Sequence, residues 1–366
     1  MIDLYNELIR GENTNKVDSY LDILKKQKRI VLFGAGLSGR IISKWLLENS
    51  ISPLGFVDSD LNKVGISVNG VHVYEKKWLL SEGKEACIVV SCGDYGIILD
   101  ELKNMGLSGA YTMYIDPKWI TDPDGLKEFI CQNIDSYEKA LETLTDKQSQ
   151  DVYINMLKYK ISYDDSYIKT VCGNCAERYF DKELIDFKYI KNYVDAGGYN
   201  GDTLKEYINK CNDNYDNIYV FEPNETNMIE LNKNVKNMHL KNVNTFQIGL
   251  SDKSELLSFN INSGIATRIS EEGTKKIKCD SLDNILTNRT IDFIKMDIEG
   301  AELKALMGAS EIIKRCKPNL AICVYHKPQD YFEIPLKIKE LSSSYKIYFR
   351  QYEFSDTETI CYAIGD

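Results

Sequence analysis

Two acids set 27 residues apart are the first sign of chemistry in this chain. Asp195 opens the run Val194-Asp195-Ala196-Gly197-Gly198-Tyr199-Asn200-Gly201-Asp202-Thr203, and Glu222 stands in Phe221-Glu222-Pro223-Asn224. Gly197, Gly198 and Gly201 let a backbone turn sharply and come close to a ligand. Asp195 and Asn200 sit in that turn, and Thr203 is placed to cap a following helix. A carboxylate at the end of the next strand, as Glu222 would be, accepts both hydroxyls of a ribose. Charge-assisted hydrogen bonds of that kind contribute about 1.5–3 kcal/mol each. Pro223 suits the first position of a helix, where its missing N–H costs nothing. Ile248 and Gly249 offer an apolar residue and a bare backbone to flank a planar base. Further on, Lys295, Asp297 and Glu299 alternate in Lys295-Met296-Asp297-Ile298-Glu299-Gly300-Ala301-Glu302, and His326 is one of only three histidines. An imidazole beside carboxylates is the usual means of taking a proton near neutral pH. Asp297, Glu299 and His326 are also metal-ligand types, but their spacing has no fixed metal signature, so a metal stays open. A plain structural reading exists for each: a tight connection, a helix-capping Glu222, a Glu302 that favours a helix start, a structural histidine.

A second glycine-rich turn lies in the other half of the chain. Gly34-Ala35-Gly36-Leu37-Ser38-Gly39 follows a strand-like run, and Asp58 comes 19 residues after Gly39, close to the step of about 20 expected of a ribose-binding acid. Cys172-Gly173-Asn174-Cys175 is half of a zinc pattern without its partner, and a neutral role suits it better.

These residues need elements to hold them. Residues 1–27 read as a polar N-terminal helix. Arg29–Phe33, Leu54–Val57 and Ala86–Ser91 are strands, with a helix over Arg40–Glu48, and the block closes near Asp116-Pro117. Residues 118–188 lose that rhythm and read as helical linker, with Asp135–Tyr159 at helical spacing. The alternation returns at 189, with strands at Tyr189–Asp195, Ile218–Glu222, Asn244–Ile248, Ile291–Asp297 and Leu320–Tyr325. Helices fall at Thr203–Cys211, Thr226–Val235, Ala301–Arg315 and Tyr331–Ser342, and an insertion, read as a hairpin, covers about 255–280. Lys346–Arg350 and Thr359–Ile364 end the chain as an antiparallel pair. Alternating strands and helices make parallel sheets, and open parallel sheets bind ligands beyond their strands' carboxyl ends, where the acids above fall. The expected fold is α/β. A Rossmann-like domain over 28–117 is joined by the linker to a domain over 189–366, and the latter has the sheet plan of a class I methyltransferase.

The C-terminal half resembles the FkbM-type methyltransferases. VDAGGYNGDT, FEPN, IGLSD, CDSLDNIL, IDFIKMDIEGAELKALMGA, YHKPQDYFEIPLKIKEL and YFRQYEFSDTETICYAI carry the resemblance over about 189–364. It implies S-adenosylmethionine as methyl donor and, usually, O-methylation of a sugar or secondary metabolite. It makes Asp195, Gly197, Gly201 and Glu222 cofactor residues and puts Asp297, Glu299 and His326 at the rim of the active site. The stretch Phe56-Val57-Asp58-Ser59-Asp60, with Val64-Gly65 and Asn69-Gly70-Val71, resembles the N-terminal domain of hexapeptide-repeat sugar O-acyltransferases, which binds a nucleotide-sugar. A nucleotide-sugar module, an NAD module and a structural or dimerising domain compete for residues 28–116.

Composition narrows the classes. The net charge is −10, which disfavours nucleic acid and anionic membrane surfaces as partners. Met1–Arg10 lacks the basic and apolar regions of a signal peptide, so the ten cysteines are expected reduced, in a cytoplasm. The reading is a methyltransferase acting on a sugar-containing or other small metabolite. A protein acceptor is the second choice within enzymes, and a non-catalytic nucleotide-sugar sensor is the choice outside them.

Overall fold

A computed structural model describes residues 3–10, 17–82, 85–91, 95–108, 110–115, 117–121, 125–260, 268–269 and 275–365. Asp116, and the stretches 261–267 and 270–274 of the insertion, lie outside the described residues. The chain divides into two units, Met1–Gln132 with Met156–Thr170, and Asn133–Asn155 with Val171–Asp366.

The first unit holds β1 (Ile30–Phe33), β2 (Gly55–Asp58), β3 (Ser67–Val68), β4 (Val71–Glu75), β5 (Cys87–Val90) and β6 (Thr112–Tyr114). They lie in the order β3-β4-β2-β1-β5-β6, parallel except for β3 against β4. IVLF and CIVV are buried at every position, as strands covered on both faces must be. The helix after β1 runs from Leu37 to Glu48. The β3–β4 hairpin had a signal that periodicity passes over. Val68 pairs with Val71 across Asn69-Gly70, whose φ values of 51° and 80° suit the two-residue turn that Asn-Gly favours.

The second unit carries β7 (Asn192–Ala196), β8 (Asn217–Phe221), β9 (Val243–Phe246), β10 (Gly249–Leu250), β11 (Glu255–Asn260), β12 (Arg268–Ile269), β13 (Lys275–Asp280), β14 (Phe293–Met296), β15 (Asn319–Cys323), β16 (Lys346–Gln351) and β17 (Thr359–Ile364). Seven of these form the main sheet, in the order β16-β17-β15-β14-β7-β8-β9. β17 runs antiparallel to both β15 and β16, so the sheet ends in the expected hairpin. β7 and β14 are neighbours although the chain leaves β7 toward β8. That reversal of strand order is where open α/β sheets form their ligand crevice. The expected third strand stops at Phe246, and Gly249–Leu250 instead joins the four-stranded sheet made with β11, β12 and β13.

Aromatic packing fastens the sheet. Tyr193 stacks on Tyr207 at 4.3 Å and on Phe293 at 5.3 Å, and Phe180 meets Tyr193 edge-on at 6.2 Å. Such pairs add about 0.5–1.5 kcal/mol each beyond the area they bury. The expected helix over Ala301–Arg315 is two helices, Glu302–Met307 and Ser310–Cys316. They are separated at Gly308, where a Cβ would lie 2.0 Å from the Ser251 carbonyl. Among the described residues no helix is long and apolar enough to cross a membrane.

Candidate active site

The glycine turn after β7 has its residue types dictated by contact. Gly197 has φ +84°, and a Cβ there would lie 1.8 Å from the Asp297 carbonyl oxygen. At Gly198 a Cβ would meet Val220 at 2.2 Å, and Gly201 has φ +88°. The amides of Gly197 and Gly198 both donate to the Phe221 carbonyl, at 2.9 and 3.0 Å, which ties the turn to β8.

The acids flanking this turn are more deeply engaged than their sequence suggests. Asp195 is fully buried, and its Oδ1 lies 3.1 Å from Lys295 Nζ, on the strand paired with it. Lys295 Nζ also donates to the Gly197 carbonyl at 2.7 Å. Burial alone would lower the lysine pKa. The carboxylates of Asp195 and Asp297 outweigh it and hold Lys295 charged. Glu222 is almost fully buried. Its Oε2 accepts from the Tyr199 amide at 3.0 Å and its Oε1 from the Asn224 amide at 2.7 Å. The Asn227 side chain adds a third bond to Oε1 at 3.4 Å; a carboxylate has about four acceptor positions, so Glu222 retains little spare acceptor capacity. Burial raises its pKa against the pull of those amides.

Two capping roles differ from expectation. Thr203 caps nothing: Gly201, in the left-handed conformation, is the N-cap of helix Asp202–Cys211 and makes no side-chain cap bond. Thr203 lies inside that helix and donates its amide to Asp202 Oδ1. Pro223 does not begin the next helix, because Asn224 caps Glu225–Asn237 by accepting from the amides of Thr226 and Asn227. Asn200 Oδ1 accepts from the Asp202 amide at 3.1 Å. Ile248 lies between the two sheets' strands, and Gly249 packs under Cys279.

The fourth-strand acids meet His326, although the strand stops at Met296 and does not carry the alternation on to Glu299. Glu299 instead takes a left-handed φ of 58°, and Gly300 follows at φ +95°. His326 Nε2 lies 3.5 Å from Asp297 Oδ1 and 3.7 Å from Glu299 Oε2. Its Nδ1 lies 2.9 Å from Glu302 Oε1, an ion-pair contact without hydrogen-bond alignment. Glu302 is fully buried and also accepts from the Ile298 amide at 2.8 Å. Burial of the imidazole works against its charge, but Glu302, Asp297 and Glu299 outweigh it and raise His326 to about 9. Asp297 accepts from the Tyr179 hydroxyl at 2.8 Å and the Tyr325 hydroxyl at 3.2 Å. Burial opposes its charge, and Lys295, His326 and these hydroxyls overcome that and lower its pKa. Burial also lifts Asp330 and Glu358 to about 7 each.

Glu302, Tyr179 and Tyr325 were not read from the sequence as site residues. Glu302 reads equally well as a helix-start acid. Tyr179 is 118 residues from the acid it binds, and no spacing rule links them. Asp297, Glu302 and His326 offer atoms within 4.8 Å of one another, with Glu302 taking the place in the trio expected for Glu299. Each imidazole nitrogen already faces an acid, which is how a charged imidazolium sits among carboxylates.

Residues 195–354 match the methyltransferase FkbM domain. This enzyme is an S-adenosylmethionine-dependent methyltransferase. The fold of the methyltransferase is similar to the crystal structure of methyltransferase FkbM from Methylobacillus flagellatus KT. That likeness has a TM-score of 0.67 and 19% identity, and covers 94% of this chain and 92% of that one. An rRNA methylase from Streptococcus thermophilus is also similar, at TM-score 0.33 and 14% identity over 50% of this chain and 88% of its own. A putative caffeoyl-CoA O-methyltransferase from Staphylococcus aureus gives 0.33 and 12% over 59% and 99%. No curated protein matches the chain.

Proposed function

We propose that the methyltransferase O-methylates a hydroxyl of a sugar-containing or other small metabolite in the cytoplasm, with His326 as base and Glu302 orienting it. The observation that carries this reading is the placement of His326: Nδ1 is backed by the buried Glu302, while Nε2 faces the loop after β14 at the carboxyl edge of the sheet. Donor binding falls to the turn after β7 and to Glu222. The sulfonium brings a reactive methyl group and a neutral leaving group, so the chain has mainly to align an acceptor oxygen with it. Alignment supplies roughly 7–11 kcal/mol, and a base about 10²–10⁴-fold in rate.

The N-terminal unit is read as a nucleotide or nucleotide-sugar binding module. Its three glycines divide the labour of a dinucleotide-type turn. Gly34 takes φ 104°, Gly36 has nothing within 4 Å of its Cβ position, and Gly39 would press a Cβ to 2.0 Å from the Gly34 carbonyl. Asp58 supports this less than its spacing suggested. Its oxygens accept from the amides of Ala35 and Asp60, at 2.7 and 2.8 Å, and from Lys63 at 3.2 Å.

The test compares nucleotide-sugars and glycans, by mass spectrometry, from cells with wild-type protein and with His326→Ala. The methylated product should fall by about 10²-fold or more, while S-adenosylhomocysteine binding to the purified variant, by calorimetry, stays within a factor of about three. A tenfold loss of cofactor affinity would contradict the base role. A methylated protein found in place of a methylated metabolite would move the acceptor class.

A further inference from the structure

Asp297 is the acid nearest the open side of His326, yet it does not bond to it. Its Oδ1 remains 3.5 Å from Nε2, while the Tyr179 hydroxyl donates to Oδ2 at 2.8 Å and the Tyr325 hydroxyl to Oδ1 at 3.2 Å. Tyr325 is next to His326 in sequence. Tyr179 arrives from the segment ahead of β7, outside the 195–354 match, and is held there firmly. Its backbone is left-handed at φ 63°, a conformation that strains a non-glycine residue. Two cations lie over its buried ring, the Lys295 ammonium at 5.2 Å and the Arg178 guanidinium at 5.3 Å from the centroid. Arg178 is in turn anchored by Glu358 at 3.0 Å. A strained tyrosine flanked by two cations, with its hydroxyl 2.8 Å from Asp297 Oδ2 and, less closely, 3.3 Å from Glu358 Oε2, has a narrower task than filling space.

We propose that Tyr179 is a positioning residue for methyl transfer: with Tyr325 it holds the Asp297 carboxylate off His326 Nε2, leaving that nitrogen to the acceptor's hydroxyl. The inference rests on the reading of His326 as base. The groups facing His326 are Glu302 from its helix, Asp297 and Glu299 from the loop after β14, Tyr325 beside it in sequence, and Asp330 from the helix that follows. Those facing Asp297 are Lys295, Asp195, Tyr179, Cys323, Tyr325, His326, Glu358 and Arg178. Nε2–H lies 3.5 Å from Asp297 Oδ1 and makes no hydrogen bond to it. An Asp297 oxygen released by a tyrosine therefore turns toward it, and a hydrogen bond to the charged imidazole favours the charged form.

The experiment is a histidine NMR titration of the full chain, whose three histidines, His72, His239 and His326, are few enough to assign. In Tyr179→Phe, which keeps the ring under its cations, the His326 midpoint should rise by about one pH unit, with His72 and His239 unmoved. Tyr325→Phe frees the other oxygen and should move His326 the same way, which keeps the test intact if Tyr179→Phe does not fold. A His326 midpoint that stays put or falls in the folded variants overturns the proposal, whatever happens to the melting temperature, since a merely structural tyrosine would change only stability. Failure of the base reading appears elsewhere, as full product from His326→Ala, and leaves the titration result standing on its own.

Discussion

The two glycine-rich turns of this chain share a frame and differ in what stands beside it. In each, an acid at the end of the second strand or just past it folds back on the turn: Asp58 accepts from the Ala35 amide, Glu222 from the Tyr199 amide. In each, a later strand pairs with the first on its other side, β5 with β1 and β14 with β7. Past β5 stands Ser91, whose hydroxyl is spent on the Phe33 and Gly34 carbonyls. Past β14 stands Asp297, at the centre of a net that includes His326, Tyr179 and Tyr325. The acids differ too. Lys63 and two amides overcome burial and lower the Asp58 pKa, whereas burial prevails at Glu222 and raises it. The first frame thus ends in a serine whose hydroxyl is taken up by the backbone, and the second ends in a cluster of ionisable groups. The glycine turn is the common scaffold, and the chemistry belongs to the strand beside it.

The largest test of that contrast substitutes alanine in both turns. Gly197→Ala forces a Cβ against the Asp297 carbonyl at 1.8 Å and onto a positive φ, so S-adenosylhomocysteine binding by calorimetry should be lost. Gly36→Ala meets nothing within 4 Å and should leave the melting temperature and S-adenosylhomocysteine binding as they were, altering only binding of a nucleotide to the first unit. Equal damage from both would erase the distinction.

A smaller effect separates the catalytic frame by pH. His326 is raised from 6.5 to about 9, so its neutral form gains as pH rises, and turnover should climb up to about pH 9. Stability should run the other way. A group whose folded pKa exceeds its unfolded one stabilises fully below 6.5, and that contribution is lost as pH rises through about 9. Asp330 and Glu358, both lifted to about 7, add to the same fall from the acid side. Melting curves between pH 6 and 9 should drop by about a few degrees, and His326→Ala should flatten the upper part of that drop. A profile with turnover and stability rising together would remove His326 from the base role.

The least effect is expected from chelation. With an acid at each imidazole nitrogen, the charge balance of the cluster is met by protonation, and turnover should be unchanged by a chelator. Loss of activity that returns with a divalent cation would reassign Asp297, Glu302 and His326.

Much of the frame was legible in the chain itself. Buried parallel strands need continuous apolar runs, so IVLF and CIVV announce themselves. Tight turns that admit no Cβ need glycine, so both glycine turns stood out. Local competition was less legible. Asn224 displaced Pro223 at a helix start and Gly201 displaced Thr203 as a cap, because a single side-chain or backbone conformation decides such contests.

What the sequence alone determined was therefore the alternation of strands and helices, the two turns, and the acids and histidine that arrive at the strands' carboxyl ends. These depend on short-range periodicity and sterics, which a linear chain displays. Only the tertiary structure decided the partners: Lys295 against Asp195, Glu302 behind His326, and Tyr179 across 118 residues onto Asp297. Those contacts form because strand pairing brings distant residues within about 3 Å, and nothing in local spacing encodes which residues the sheet will make neighbours.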